Sequence, residues 1–162
     1  MKAPVRVFAG FTLIEMLVTL TILGVLLTIV APSFRQLILN QGIKTASFDL
    51  FSALEYARSE AIKRNDTTTL RAGASTDGTW ATGWRLVDSS SNLLRTWTAA
   101  SNITITETVG GITVVTFRND GHLTTAAPKL QIDPTTTLSG VTSRCVQVDL
   151  VGRPKSQLGA CP

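Results

Sequence analysis

One carboxylate near the amino terminus is the side chain of this protein best placed to do chemistry. Glu15 is the only charged residue from Phe11 to Phe34, in a run made mostly of Leu, Ile, Val, Thr and Ala. A carboxylate in a hydrocarbon-length helix costs free energy wherever it is unpaired, so its presence indicates a role. Phe11 lies four residues earlier, and in a helix the two residues would share one face.

An ion pair with a neighbouring chain is the chemistry that Glu15 could do. If Phe11 were the first residue of the mature chain, its positive amino group could pair with Glu15 of an adjacent subunit. Inside a lipid-like core such a pair is weakly screened and would select the axial register of the subunits. The alternative is that Glu15 only lies at the headgroup boundary, where a carboxylate costs little.

The order of the segments before Glu15 differs from that of a secretory signal. A secretory signal has a basic region, then an apolar stretch, then a small-residue cleavage site. Here Lys2 and Arg6 form a basic head, but the small residue Gly10 comes before the apolar stretch. Cleavage after Gly10 would therefore keep the apolar stretch on the mature protein.

The junction Gly10-Phe11-Thr12-Leu13-Ile14-Glu15 resembles the prepilin-peptidase site of type IV pilins and related pseudopilins. The resemblance implies that prepilin peptidase cleaves between Gly10 and Phe11 and that the new amino terminus at Phe11 is N-methylated. It also implies that residues 1–10 are a cleaved leader and that Glu15 acts in subunit assembly. Other pilins would then be the partners of the apolar helix.

The apolar segment 11–34 predicts a transmembrane and assembly helix, because a bilayer needs about 20 apolar residues. Gly24 and Pro32 match positions where type IV pilins carry helix-loosening residues, so the segment could extend or melt on packing. A simple kink at Pro32 is the alternative. Lys2 and Arg6 favour a leader on the cytoplasmic side. The prediction is a single-pass protein of the bacterial inner membrane with a periplasmic globular domain, which enters the pilus on assembly.

The cysteine count fits an exported domain. Cys145 and Cys161 are the only cysteines, and an even count in an exported domain predicts a disulfide between them. Two free buried thiols are the alternative. One histidine, His122, and two cysteines lack the spacing of a zinc site, so no metal or other cofactor is expected.

Composition and motifs argue against two other classes of function. The 162 residues carry a net charge of +4, which falls to +2 when Lys2 and Arg6 leave with the leader. A charge that small does not by itself indicate nucleic-acid binding. The sequence also lacks a Gly-x-Ser-x-Gly elbow and a phosphate-binding loop, so no enzymatic activity is expected.

A second helical pattern continues after the apolar segment. Apolar residues recur at three- and four-residue spacing over residues 43–61, which predicts an amphipathic helix. The basic pair Lys63-Arg64 suits the carboxyl end of a helix, and Asn65-Asp66 is a plausible stop. The interpretation is one helix over residues 11–64, with residues 35–66 as its amphipathic half.

The motif Ala57-Arg58-Ser59-Glu60-Ala61 resembles the same part of this helix in minor pilins of the FimT/FimU and GspH types. A purely structural interpretation also explains these residues. Ala57 and Ala61 would pack against a sheet, while Arg58 and Glu60 would be solvated. The motif is therefore used as a family resemblance and is assigned no chemistry.

Residues 67–162 predict a globular antiparallel β domain. Runs in which Thr alternates with Ile are typical of a sheet with one buried face. Strands are predicted at residues 67–71, 80–87, 93–97, 103–106, 112–117, 129–132 and 144–151. Asn119-Asp120-Gly121 predicts a hairpin turn. The predicted fold class is α+β and pilin-like: a long N-terminal helix, transmembrane in its first half, packed on an antiparallel β domain.

Gly152-Arg153-Pro154-Lys155 is predicted to form a turn after the last strand. It is similar to a Gly-Arg-x-Arg motif of FimT-type pilins that bind DNA, with Lys155 in place of the final Arg. Lysine keeps the positive charge but loses the bidentate geometry of arginine. The resemblance implies that Arg153 and Lys155, with Gly152 in the motif, contact phosphates of double-stranded DNA without sequence preference.

Two more cations, Arg144 and Lys129, could extend this patch. No acidic residue follows Asp149, so the tip of the hairpin is expected to be locally positive. A disulfide between Cys145 and Cys161 is expected to fix the base of the turn. The alternative is that Gly-Arg-Pro-Lys is only a soluble turn, with Gly and Pro present for geometry.

Three functions follow from these resemblances. The favoured one is a minor pilin of a type IV pilus, FimT/FimU-like, which starts or caps the filament. A second adds DNA capture during natural transformation through Arg153 and Lys155. The third is a GspH-like minor pseudopilin of a type II secretion system, which would contact exported proteins. The Gly10–Glu15 junction does not discriminate among them, because all three share it.

Overall fold

The computed structural model describes residues 10–75 and 77–162, apart from the side chain of Ile29. The predicted basic head of the leader, Lys2 and Arg6, lies outside the described residues. The chain divides into two compact units, one ending at Arg35 and the other covering Gln36–Pro162. One helix, α1 (Leu13–Arg64, 52 residues), belongs to both units.

Helix α1 begins two residues later than the sequence predicts. The Thr12 hydroxyl accepts a hydrogen bond from the Glu15 N–H at 3.2 Å, which is the bond that an N-cap residue makes. Phe11 therefore precedes the helix, and the expectation that Phe11 and Glu15 share one helix face is wrong for this structure. The cause is the threonine between them, which satisfies a free backbone donor at the helix start.

Four hydroxyl groups in the first part of α1 are hydrogen-bonded within the helix. Hydroxyls along it donate to the backbone carbonyl three residues earlier at 2.7–2.9 Å; these residues are Thr19, Thr21, Thr28 and Ser33. An apolar solvent offers no other partner, so such bonds suit a helix in lipid. Helix α1 continues through Gly24 and Pro32, and it contains a stretch long and apolar enough to cross a membrane.

Within the described part of the second unit, eight strands follow α1. They are β1 (Thr68–Ala72), β2 (Gly83–Asp88), β3 (Leu93–Thr98), β4 (Ile103–Glu107), β5 (Val114–Phe117), β6 (Lys129–Pro134), β7 (Arg144–Val148) and β8 (Pro154–Leu158). Sheet I has the order β3-β2-β1-β5 and sheet II the order β4-β6-β7-β8. All paired strands are antiparallel. The predicted fold class, a long N-terminal helix packed on an antiparallel β domain, is confirmed.

The core lies between the amphipathic half of α1 and the inner faces of both sheets. The fully buried helix residues repeat at helical spacing; they are Ile43, Leu50, Ala53, Leu54, Ala57 and Ala61. The sheets add alternate residues, such as Leu70 and Leu86 from sheet I and Leu130 and Ile132 from sheet II. Thr68 is also fully buried, and its hydroxyl donates to the Ala57 carbonyl at 2.7 Å, which ties β1 to α1.

The end of α1 agrees with the predicted stop. Asn65 has a φ of 53°, a left-handed conformation that terminates helices and that asparagine tolerates. Glu60, however, is buried at 6 % exposure rather than solvated. Its carboxylate accepts a 2.7 Å bond from Arg64 Nε, and this bond lowers the pKa of Glu60 although burial acts to raise it. The i, i+4 spacing allows the exposed arginine to reach the buried carboxylate from the surface.

Three strand predictions are wrong in detail. Trp80–Thr82 forms a short 3-10 turn, and strand β2 starts only at Gly83. Strand β7 ends at Val148 instead of residue 151. The segment Pro154–Leu158, predicted in part as a turn, is strand β8 at the edge of sheet II. Proline is compatible with the first residue of an edge strand, because no ladder donor is needed there.

One carboxylate organises the connection between the two sheets. Glu107, at the end of β4, accepts backbone N–H bonds of 2.7–3.0 Å from four successive residues, Val109, Gly110, Gly111 and Ile112. Burial raises the pKa of Glu107, but the four N–H groups together lower it below its ordinary value. The ionised side chain therefore holds the loop that carries the chain from sheet II to sheet I.

Candidate assembly helix and nucleic-acid interface

The apolar side chains of the first unit are exposed. From Phe11 to Phe34, every residue whose side chain is described is exposed, and only Glu15 among them is charged. A continuous apolar surface of this kind is far larger than the scattered exposed residues of ordinary soluble proteins. It therefore requires a covering of lipid or of other apolar helices.

The tip of the C-terminal hairpin is a closed turn between β7 and β8. The Gly152 N–H donates to the Asp149 carbonyl at 2.8 Å, and the Asp149 N–H donates to the Arg153 carbonyl at 3.1 Å. The Asp149 side chain also accepts the Arg153 N–H at 2.8 Å. The turn thus covers residues 149–153 and ends before Lys155, which lies in β8.

The charge of this tip is less positive than the sequence predicts. Arg153 Nε lies 3.4 Å from Asp149 Oδ2. The Arg153 N–H lowers the pKa of Asp149, with smaller contributions from the charges of Arg153 and Lys155. Asp149 therefore stays ionised and offsets one of the two cations. The Arg153 side chain is still 65 % exposed, so solvent reaches the guanidinium despite the ion pair.

Lys129 and Lys155 lie on the same face of sheet II. Gln147 in β7 is the Cα partner of Lys129 on one side and of Lys155 on the other. Directly opposed residues of an antiparallel sheet project from one face, so the two lysines flank Gln147 on the outer face. The Lys129 ammonium donates to the backbone carbonyl of Pro162, which engages it with the C-terminal tail.

Arg144 is separated from that face. It shares the β7 face of Val146 and Val148, which are buried toward the core, because alternate residues of a strand share a face. A groove beside β8 is lined by Arg144 together with Lys44, Phe48 and other residues of α1. The predicted patch of Arg144 with Lys129 and Lys155 does not form.

The structure contains the predicted disulfide between Cys145 and Cys161. Cys145 lies on the outer face of β7, and the Cys161 N–H donates to the Gln131 side chain on β6 at 2.7 Å. The bond therefore fastens the C-terminal tail across the outer face of sheet II. It does not fix the base of the 149–153 turn, so that expectation from the sequence is wrong.

A second turn packs directly against the hairpin tip. The predicted turn at Asn119-Asp120-Gly121 is present, closed by an Arg118 N–H bond to the His122 carbonyl at 2.9 Å. A Cβ built on Gly152 would lie 1.9 Å from the Gly121 carbonyl oxygen, so only glycine allows this approach. We call these two turns, residues 118–122 and 149–153, the double turn.

Comparison with known families decides the membership of this chain. The family described as "Type II transport protein GspH" matches residues 46–152. The family described as "Prokaryotic N-terminal methylation motif" matches residues 6–31. The chain belongs to the GspH family. The predicted resemblance to type IV pilin-like proteins of the FimT/FimU and GspH group is confirmed.

Solved structures similar to this GspH-family chain have the same fold. The minor pilin FimU of Pseudomonas aeruginosa, in two crystal forms, has 24 % identity and TM-scores of 0.58 and 0.60. The alignments cover 70 and 71 % of this chain and 91 and 87 % of FimU. The minor pseudopilin EpsH of the Vibrio cholerae type 2 secretion system has 11 % identity and a TM-score of 0.55, over 71 % of this chain and 95 % of EpsH. No curated protein sequence gives a significant match.

The chain is thus a GspH-family protein with an N-terminal methylation motif, and it shares the fold of the minor pilin FimU and the minor pseudopilin EpsH. Sequence reasoning identified the N-terminal methylation motif and the disulfide, and it predicted strand β7 but not its partner β8. It missed the contact between residues 118–122 and 149–153, which lie far apart in the chain. It also missed the pairing of Asp149 with Arg153, although a four-residue spacing across a turn was an available signal. In the described ranges 10–75 and 77–162, no cluster of three or more His, Cys, Asp or Glu side chains could hold a metal ion.

Proposed function

We propose that this chain is a minor pilin of a type IV pilus. Before assembly its apolar helix anchors it in the bacterial inner membrane, with the globular domain in the periplasm. In the filament the same helix packs among the helices of other pilins, and the subunit starts or caps the structure. The observation that carries the proposal is the exposed apolar surface from Phe11 to Phe34, most of which lies within the matched methylation motif at residues 6–31.

Processing precedes assembly in this proposal. Prepilin peptidase cleaves between Gly10 and Phe11 and removes the leader, and the amino group of Phe11 is then methylated. Glu15 pairs with the positive amino terminus of an adjacent subunit. The position of Phe11 before the helix does not prevent this, because the partner amine belongs to another chain. Within lipid the pair is weakly screened, so it selects one axial register.

A type II secretion pseudopilin is the second candidate. The family description and the fold likeness to EpsH favour it, whereas the fold likeness to FimU favours a pilus. Deletion of the gene in the native host, followed by separate assays of twitching, transformation and protein secretion, distinguishes the two. A pilus role predicts loss of twitching or transformation with normal secretion. Loss of secretion alone would contradict it.

We further propose that the hairpin captures double-stranded DNA. Two exposed cations at its tip, Arg153 and Lys155, support the proposal. Contacts from these cations to phosphates would be independent of sequence and sensitive to salt, as the uptake of arbitrary DNA requires. The ion pair between Arg153 and Asp149 weakens the attraction of Arg153 for phosphate, and Lys155 remains as the uncompensated charge. Of the predicted extensions, Lys129 lies on the same outer face, and Arg144 faces the groove beside α1.

Substitution of both hairpin cations tests DNA capture. Arg153→Gln with Lys155→Gln should raise the Kd for a short random duplex by about tenfold, and reduce the slope of log K against log salt by about 2. Fluorescence anisotropy with the full-length protein in a neutral detergent measures both quantities. A matched double variant, Lys44→Gln with Arg95→Gln, removes two exposed cations from α1 and sheet I. Equal effects in the two double variants would contradict a site at the hairpin.

A further inference from the structure

Arg58 is the basic residue of the Ala57–Ala61 motif, and the proposed function assigns it no role. Its Nε atom is buried and has no hydrogen-bond partner among the described residues. A Cβ built on Gly121 would lie 2.9 Å from this atom and 3.4 Å from Arg58 Cγ. The arginine side chain therefore lies against the 118–122 turn and is not free in solvent, as its residue type would suggest.

We infer that Arg58 and Arg118 belong to the same DNA-phosphate surface as Arg153 and Lys155. The inference rests on the proposed DNA capture and extends its site from one hairpin to the whole double turn. The ligand class is the sugar-phosphate backbone of double-stranded DNA. The physical basis of the inference is that α1, the 118–122 turn and the 149–153 turn meet at one place on the domain.

The contacts that join these three elements are close approaches at glycine. Gly121 packs on Arg58 on one side, and its carbonyl oxygen packs on Gly152 on the other. The Leu123 N–H donates to the Leu150 carbonyl at 3.2 Å, which links the two turns by a hydrogen bond as well. Such close contacts fix the backbone positions from which the cations of the different elements extend, which reduces the ordering cost of binding.

The charges of the double turn balance one another, and two neighbouring cations make its surroundings positive. Arg118 is 54 % exposed and lies 3.1 Å from Asp120, while His122 Nδ1 lies 3.4 Å from the same carboxylate. The His122 N–H, with the Arg118 charge, lowers the pKa of Asp120, so this acid stays ionised. Within the double turn Arg118 lies against Asp120 and Arg153 against Asp149, and the two further cations are Arg58 on α1 and Lys155 on β8. With Arg58 and Lys155 included, cations exceed acids by two, and each acid competes with phosphate for the arginine beside it.

This competition gives the inference a test in which two variants act in opposite directions. Arg118→Gln should weaken binding of a short random duplex by about 3- to 10-fold, with a salt slope lower by about 1. Asp120→Asn should strengthen binding by a similar factor, because it releases Arg118 and removes a repulsive charge while keeping an acceptor for the His122 N–H. Arg58→Gln should weaken binding, and Arg58→Lys should restore most of the affinity.

The measurement is fluorescence anisotropy on the full-length protein in a neutral detergent, with Lys44→Gln as the control for loss of one distant exposed cation. Thermal unfolding of each variant is recorded beside it. If Arg58→Gln unfolds the domain, the exposed pair Arg118→Gln and Asp120→Asn still decides the question. If both of these match the control while Arg153→Gln with Lys155→Gln weakens binding, the extended surface is wrong and DNA capture stands. If the unaltered protein binds no DNA, the proposed capture fails and the extended surface with it.

Discussion

Replacement of Glu15 by alanine is expected to give a protein that is cleaved and inserted into the membrane but joins filaments poorly. Glu15 is the only charged side chain between Phe11 and Phe34, and it is exposed on a helix whose apolar surface needs a covering. Its removal makes the helix more apolar, so membrane insertion does not suffer. Loss of a weakly screened ion pair should lower incorporation into sheared filaments by roughly tenfold, the equivalent of one modest interaction.

Two variants control this experiment. Glu55→Ala removes a second exposed glutamate from the amphipathic half of α1 and should leave incorporation unchanged. Glu15→Gln keeps the size and polarity of the side chain but not its charge, and should resemble Glu15→Ala if the ion pair matters. Gel mobility checks that each variant is still processed. Normal incorporation of Glu15→Ala would instead favour a glutamate that lies at the headgroup boundary without a role in assembly.

Replacement of Gly152 by alanine is expected to destabilise the globular domain by about 3 kcal/mol or more. Gly152 has a φ of +80°, which strains any residue with a Cβ, and the new atom would lie 1.9 Å from the Gly121 carbonyl oxygen. Both atoms of this clash belong to the backbone or are fixed to it, so the two turns must separate. Urea unfolding followed by tryptophan fluorescence measures the loss, since Trp80, Trp84 and Trp97 all lie in this domain.

Gly159→Ala is the matched control for backbone strain. Gly159 has a φ of +91°, but nothing lies within 4 Å of the position that its Cβ would occupy. Strain alone should cost about 1 kcal/mol there. The difference between the two variants isolates the contact between the turns. Equal losses would show that the 118–122 and 149–153 turns are not packed together, and the inferred extension of the DNA surface would lose its geometric basis.

The two glycine variants also bear on the Gly-Arg-Pro-Lys resemblance. Packing against Gly121 accounts for Gly152 without any ligand. Pro154 begins the edge strand β8, where its missing N–H costs nothing. The geometric alternative thus explains two of the four motif residues. It does not require the positive charge of Lys155, and it accounts for Arg153 only through the ion pair with Asp149; these two residues carry the proposed DNA contact.

Local patterns predicted the helix because its signals are dense and periodic. Apolar spacing over residues 43–61 required one buried face, and Asn65 supplied the left-handed stop where α1 ends. The predicted start at Phe11 is too early because it takes no account of the cap at Thr12. The Asn119-Asp120-Gly121 turn was predicted correctly for the same local reason, since its residue types favour positive φ.

Features that depend on distant segments could not be predicted in this way. Strand β8 is polar and starts with Pro154, and only pairing with β7 makes it a strand. The residue type of Glu60 predicts a solvated side chain, but the tertiary fold buries it and Arg64 compensates its charge. The double turn joins segments far apart in the chain, so its charge balance emerges only when both turns and α1 are seen together.

Mass spectrometry of the protein isolated from its native host tests most directly whether the apolar helix is retained and prepared for assembly. The expected species begins at Phe11 and carries a methylated amino group. An intact Met1 would show that no leader is removed. A chain trimmed beyond Val30 would show that the apolar segment is an ordinary export signal, and either result would contradict a pilin-like subunit that assembles through this helix.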